Sequence, residues 1–83
     1  MQAVEIRHTS EERARLGRDI MQRIVAPRLT PDDHGKFIAI AVDHDDFEIA
    51  ARDIDAVKGL WNRHPGAEIW LERAGHPAAY KIR

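Results

Sequence analysis

This chain of 83 residues, 43% of them hydrophobic and 33% charged, has the composition of one small folded domain and not of a disordered segment. It has no cysteine, which excludes disulfides, thiolate metal sites and cysteine nucleophiles. No apolar run is long enough for a membrane span, and the first residues carry no hydrophobic signal-peptide segment. We therefore expect a single cytoplasmic domain over residues 1–83. We also expect a homodimer, because so short a chain has a barely sufficient core.

The first predicted element is a helix over residues 9–27. Thr9 and Glu12 have the spacing of a capping box, in which each side chain satisfies a backbone N–H at the helix start. The apolar residues that follow recur at helical spacing and form one stripe, made by Leu16, Ile20, Met21, Ile24 and Val25. Pro27 ends the pattern. Since a linker over residues 28–35 follows, this helix can pack on its own sheet or be exchanged with a partner subunit.

The next element is a strand over Lys36–Val42 whose two faces are both apolar. One face carries Ile38, Ile40 and Val42, and the other carries Phe37, Ala39 and Ala41. Such a strand is predicted to lie at the centre of a sheet with cover on each side. We expect the first helix to cover the face that carries Phe37.

The sequence predicts an α+β fold in the order α-β-β-α-β-β, with residues 35–83 as a ββαββ core. The remaining elements are a polar turn at Asp43–Asp46, a returning strand at Phe47–Ala50, a second helix that starts at an Asp53 cap and ends before Pro65, and strands at Ala67–Arg73 and 78–83. The sheet is expected to be four-stranded, mainly antiparallel and packed by helices on one face.

A candidate protein interface is predicted around the first helix and Trp70. Trp70 shares the polar face of its strand with Glu68 and Glu72, so it is either partly exposed or covered by the first helix. Large aromatic side chains at a polar rim are typical anchors of protein interfaces. The predicted interface residues are Leu16, Ile20, Ile24, Phe37 and Trp70.

No catalytic, cofactor-binding or metal site is predicted, and we expect no enzymatic activity. The acidic turn Asp43–Asp46 lacks the glycine and the closing glutamate of an EF-hand, so turn formation explains it. The five histidines never have the i, i+4 spacing of a helical zinc pair and are interpreted as surface residues. No nucleophile elbow, phosphate loop or dinucleotide fingerprint occurs.

An alternative function is suggested by the arginines of the first helix. Arg13, Arg15 and Arg18 could contact nucleic-acid phosphates. No helix-turn-helix partner follows, and the sheet lacks the paired aromatics of an RNA-stacking surface. Binding of nucleic acid is therefore expected only as the second possibility.

Four motifs of the chain, GKFIAI at 35–40, DFEI at 46–49, RHPGA at 63–67 and GHPAAYKI at 75–82, resemble those of a group of small uncharacterised bacterial proteins. The motifs of that group are Gly-Lys-aromatic-aliphatic-Ala, Asp-aromatic-Glu-Ile and a closing Gly-x-Pro-Ala-Ala-Tyr, and the likeness covers residues 31–83. Because the group has no settled activity, no binding or catalytic residue is carried over. The resemblance implies an accessory or antitoxin-like protein that acts through a protein partner encoded nearby.

Overall fold

The computed structural model describes residues 7–75, and within them the chain forms two helices and three strands joined by short turns. The elements in chain order are helix α1 (Ser10–Ile20), a π-helical turn (Met21–Val25), two 3₁₀ turns (Ala26–Arg28 and Pro31–Asp33), strands β1 (Phe37–Ala41) and β2 (Asp46–Ala50), helix α2 (Asp53–Arg63) and strand β3 (Ile69–Arg73). The protein is an α+β protein, as the sequence predicted. The last predicted strand, over residues 78–83, lies outside the described residues.

Helix α1 begins at the predicted capping box. The Thr9 hydroxyl accepts a hydrogen bond from the Glu12 backbone N–H, and the Glu12 carboxylate accepts one from the Thr9 N–H. The sequence predicted one uniform helix, but a π-helical turn follows, in which the Ala26 N–H donates to the Met21 carbonyl. Val25 in this wider turn is fully buried. The position of the cap was thus predictable from local chemistry, whereas the change of helix type was not.

Helix α2 differs from the prediction at its start. Asp53 is the first helical residue and Arg52 holds the cap position, without a capping side-chain hydrogen bond. Asp53 and Asp55 both lie in the first turn, where the helix dipole favours negative charge. The helix ends at Arg63, before the predicted Pro65 stop.

Strand β1 is the central strand of an antiparallel sheet with the order β2-β1-β3. Ile40 pairs with Phe47 on β2 and with Trp70 on β3. Each residue from Ile38 to Ala41 is 0% exposed. The prediction of a central strand that is covered on both faces is therefore confirmed.

The two helices lie on opposite faces of this sheet, so the prediction of helices on one face is wrong. Helix α1 and the π-helical turn cover the face of Ile38 and Ile40, and α2 covers the face of Ala39 and Ala41. The expectation that α1 meets the face of Phe37 is therefore also wrong. The physical reason is side-chain size. The small Ala39 and Ala41 leave room for α2 on their face, whereas the larger Ile38 and Ile40 fill the space below α1 and the π-helical turn.

The helices are also offset from one another across the sheet. Helix α1 packs over β3 and β1, whereas α2 packs over β1 and β2. Among residues 7–75, strand β3 is therefore covered less than β1 and β2 on the face that α2 occupies, and its Ile69 and Leu71 are half-buried. Among the described residues, no helix combines the length and the apolar character that crossing a membrane requires.

Candidate functional site

Four of the five predicted interface residues meet one another inside the chain. Ile20 is 1% exposed and belongs to the buried cluster below α1, and half-buried Leu16, Ile24 and Trp70 pack against that cluster. The Trp70 ring lies directly on Gly17, where a Cβ would overlap it. Of the two positions expected for Trp70, the structure has the one in which the first helix covers it. These residues hold α1 on its own sheet.

Phe37, the fifth predicted interface residue, lies on the other face of the sheet, beside an apolar groove between α2 and β3. Gly59 of α2 faces Glu48 on β2, so residues on the opposite flank of the helix point toward β3. The Trp61 indole N–H donates to the Ala67 carbonyl at 2.8 Å, which ties this flank to the start of β3. Val57 and Trp61 of the helix and Ile69 and Leu71 of the sheet pack against one buried cluster and line the groove. Ile54 falls on the same flank of α2 by helical periodicity, and Phe37 falls on the same face of the sheet by the alternation of β1.

The groove is open to solvent near the start of α2, where Ile54 lies. Among the described residues, Ile54 is the large hydrophobic side chain that is exposed, at 49%. The other lining side chains are half-buried. The Arg73 guanidinium lies 5.1 Å from the centre of the Phe37 ring and forms a cationic rim on the sheet side. An apolar strip with a polar rim has the arrangement of a protein-binding surface.

A buried carboxylate organises a second site at the start of α1. Glu68 is 3% exposed. Its Oε2 accepts a hydrogen bond from Arg13 Nη1 at 2.9 Å, and its Oε1 accepts one from the Arg7 backbone N–H at 2.9 Å. Next to it, His8 Nε2 and Asp43 Oδ1 are 2.8 Å apart, and the Arg7 guanidinium donates to Asp43 Oδ2 at 3.0 Å. We call these five residues the Glu68 cluster.

The side-chain contacts of the Glu68 cluster each join a carboxylate to a guanidinium or an imidazole group. The hydrogen bond to Asp43 raises the pKa of His8 above its ordinary value, and the same bond lowers the pKa of Asp43. Three chain segments meet here: the residues before and in α1, the β1–β2 turn, and the residue before β3. The cluster therefore fixes the start of α1 to one end of the sheet.

A third polar site joins the end of α2 to the start of β2. Arg63 donates to Asp46 at 2.9 Å and to Glu48 at 2.7 Å, and His64 Nε2 lies 2.9 Å from Asp46. Hydrogen bonds from Arg63 and then from His64 lower the pKa of Asp46 to about 2. The His44 ring stacks on the His64 ring with centroids 4.2 Å apart. This ion-pair network connects the end of α2 to strand β2 of the β1–β2 hairpin.

A pocket of about 230 Å³ lies between the end of α1 and β3. It is lined by Arg18, Met21, Gln22, Glu72, Arg73 and Gly75. Burial raises the pKa of Glu72, and Glu72 Oε2 has no hydrogen-bond partner among the described residues. The pocket is smaller than the roughly 300–1,000 Å³ of sites for drug-sized molecules, so it does not point to a small-molecule ligand.

Of the three arginines proposed for nucleic-acid binding, Arg15 and Arg18 are exposed on α1 and Arg13 is not. Arg13 is drawn inward by Glu68 and is only 23% exposed at its side chain. The Arg18 guanidinium lies 5.9 Å from the centre of the Trp70 ring. Arg15 is on the exposed side of α1.

The sequence predicted that Glu68 shares a polar face of its strand with Trp70 and Glu72, either partly exposed or covered by the first helix, and it did not predict the burial of Glu68. Its charged partner Arg13 is 55 positions away in sequence, and no local spacing reports such a contact. The only signal was the alternation of β3, which puts Glu68 and Trp70 on one face, and that face turned out to be covered by α1.

The chain was compared with family models, with curated proteins and with solved structures, and nothing matches it.

Proposed function

We propose that the protein has no chemistry of its own and acts by binding protein, first of all a second copy of this chain, through the groove between α2 and β3. The observation that carries the proposal is the groove itself, where Ile54 is 49% exposed and the apolar face of β3 has little cover from α2. Burial of such surface is the main driving force of protein association.

The small size of the domain favours a second copy as the occupant. A chain of 83 residues buries a smaller fraction of its surface than a larger domain does, and self-association is a common way to bury more. A two-fold symmetric contact would place the same groove of both chains against each other, so that each Ile54 packs near the partner's α2 flank. The Arg73 guanidinium at the rim stays near water in such a contact.

The wider role that we propose is that of a cytoplasmic accessory or antitoxin-like protein whose partner is encoded nearby. This part of the proposal rests on the motif resemblance over residues 31–83. We also propose that residues 78–83 form a fourth strand of the sheet. The outer edge of β3 has no strand beside it among residues 7–75 and offers a place for it.

Sedimentation equilibrium tests the proposal at protein concentrations from about 1 to 100 μM, the range in which we expect the dimer to form. We expect the parent protein to reach the dimer mass in this range. Replacing Ile54 by aspartate should weaken the dimer by about tenfold or more, because a charge then enters an apolar contact. Since Ile54 is half exposed, the variant is expected to keep its fold.

The matched control is Asn62→Asp, which adds the same charge on the solvent side of α2 and should leave association unchanged. A parent protein that stays monomeric at every concentration would overturn the proposal. So would a dimer that Ile54→Asp leaves intact.

The alternative, a nucleic-acid-binding regulator that uses Arg13, Arg15 and Arg18, has less support. Arg13 is engaged with the buried Glu68, and Arg18, although exposed, lies near the Trp70 ring. Phosphate contacts need guanidinium groups that are free to reach a common backbone.

A further inference from the structure

We propose that His8, Asp43 and Glu68 form a binding site for a divalent transition-metal ion, with Zn²⁺ as the best-suited ion. The three side chains come from the segment before α1, from the β1–β2 turn and from the residue before β3. Each offers one ligand atom, and these atoms all lie within 4.8 Å of one another. This inference is independent of the groove and of the protein-binding function.

The spacing of the donor atoms suits a single ion. Ligand bonds of Zn²⁺ to nitrogen and to carboxylate oxygen are about 2.0–2.2 Å, so neighbouring donors around one ion are about 3–4 Å apart. His8 Nε2 and Asp43 Oδ1 are already 2.8 Å apart. An ion bound here would replace the proton that these two atoms share. The carboxylate of Glu68, which is 3% exposed, would supply the third ligand from the interior.

A second carboxylate lies on the other side of the His8 ring, at a distance too long for a direct hydrogen bond. Glu12 Oε1 lies 4.0 Å from His8 Nδ1, and it is itself held by the Thr9 N–H. Histidine ligands commonly direct the second ring N–H toward a carboxylate or carbonyl, which leaves the other nitrogen for the metal.

The arginines of the cluster compete with the ion but do not block it. Arg13 and the Arg7 N–H each use one acceptor position on a different Glu68 oxygen. A carboxylate has about four acceptor positions in all, so a lone pair remains on each oxygen. The positive charge of both guanidinium groups lowers the affinity for a cation, and we expect a site that saturates in the micromolar range or above.

The donor set selects the class of ion. Imidazole nitrogen favours Zn²⁺ and similar transition metals, whereas Mg²⁺ and Ca²⁺ prefer sites made of oxygen alone. The prediction of no metal site rested on local spacings, whereas His8, Asp43 and Glu68 are far apart along the chain and only the fold brings them together. A bound ion would connect His8, just before α1, to Asp43 in the β1–β2 turn and to Glu68 just before β3.

Thermal unfolding of the full chain at pH 7.5 with increasing ZnCl₂ tests the site, since a ligand that binds only the folded state raises the melting temperature. We expect a saturable rise with zinc, none with MgCl₂, and one zinc ion per chain by equilibrium dialysis. The rise should be lost in His8→Ala and in Asp43→Asn. It should persist in His44→Ala and His64→Ala, which remove the other pair of neighbouring rings.

A further variant tests the role of Glu68 directly. Arg13→Met removes the cation that compensates Glu68, so zinc should raise the melting temperature of this variant more than that of the parent. No zinc-dependent rise in the parent, a rise that survives His8→Ala, or a smaller rise in Arg13→Met than in the parent would each overturn the proposal.

Discussion

At Glu68, a carboxylate that is 3% exposed is held by one guanidinium and one backbone N–H. A buried acceptor that loses its partner costs about 1–3 kcal/mol, so such a group constrains where its donors lie. Arg7 is a donor in the segment before α1, and Arg13 is a donor within α1. A single buried side chain thus determines how the first helix begins on the sheet.

Asp46 gives the clearest residue-scale prediction, on pH. Its folded-state pKa of about 2 is below the value of about 3.9 in an unfolded chain. The stabilisation from Arg63 and His64 is therefore complete above about pH 5 and is lost as the pH falls toward 2. Asp46→Asn should lower the free energy of unfolding at pH 6, and its difference from the parent should shrink toward pH 2.

Urea unfolding of both proteins between pH 6 and pH 2 measures this difference. Asp19→Asn, which removes an exposed i, i+4 ion pair with Arg23, is the control and should change stability little because exposed pairs contribute little. A difference between Asp46→Asn and the parent that is the same at every pH would show that ionised Asp46 contributes nothing.

At the scale of elements, the attachment of α1 depends on the contact between Gly17 and Trp70. A glycine in a helix interior usually costs stability relative to alanine, yet here a Cβ would overlap the indole ring. The indole is backed by the buried Ile38 and Ile40 of the central strand, so it has little room to move. The close approach of helix and sheet requires a residue without a side chain.

We predict that Gly17→Ala destabilises the protein by about 1–3 kcal/mol, the usual cost of overpacking a core. The matched control is Gly59→Ala in α2, where the nearest atoms belong to the side chain of Glu48, which can shift because its partly exposed ion pair with Arg63 contributes little. There the change should be neutral or stabilising by up to about 1 kcal/mol, from helix propensity. Urea unfolding followed by tryptophan fluorescence measures both. Equal effects of the two changes would contradict the account.

The elements themselves were largely predictable, because their signals are local. The Thr9–Glu12 cap, the two-faced apolar strand at β1 and the turn at Asp43–Asp46 each occupy a few neighbouring residues. The face on which each helix packs was not predictable, since both faces of β1 are apolar and nothing local separates them. Contacts such as Arg13 with Glu68 join distant positions, and only the folded chain shows them.

At the scale of the whole molecule, the offset of the two helices leaves the two faces of the sheet unequally covered. On the α1 side, the half-buried Phe47 and Ile49 of β2 are packed by the residues that follow α1. On the α2 side, Ile69 and Leu71 of β3 are half-buried at the edge of the cluster below α2. The groove is the consequence, and the proposed function depends on what covers it.

The absence of cysteine from the sequence allows the groove to be probed with a single introduced thiol. In Ile54→Cys the thiol lies in the groove, and in Asn62→Cys it lies on the solvent side of α2. The rate of maleimide labelling of each variant, measured from dilute to high protein concentration, tests directly whether the groove is a self-association surface. We predict that labelling at position 54 slows as the dimer forms while labelling at position 62 stays constant. Equal and concentration-independent rates at both positions would show that the groove remains open, which contradicts the account.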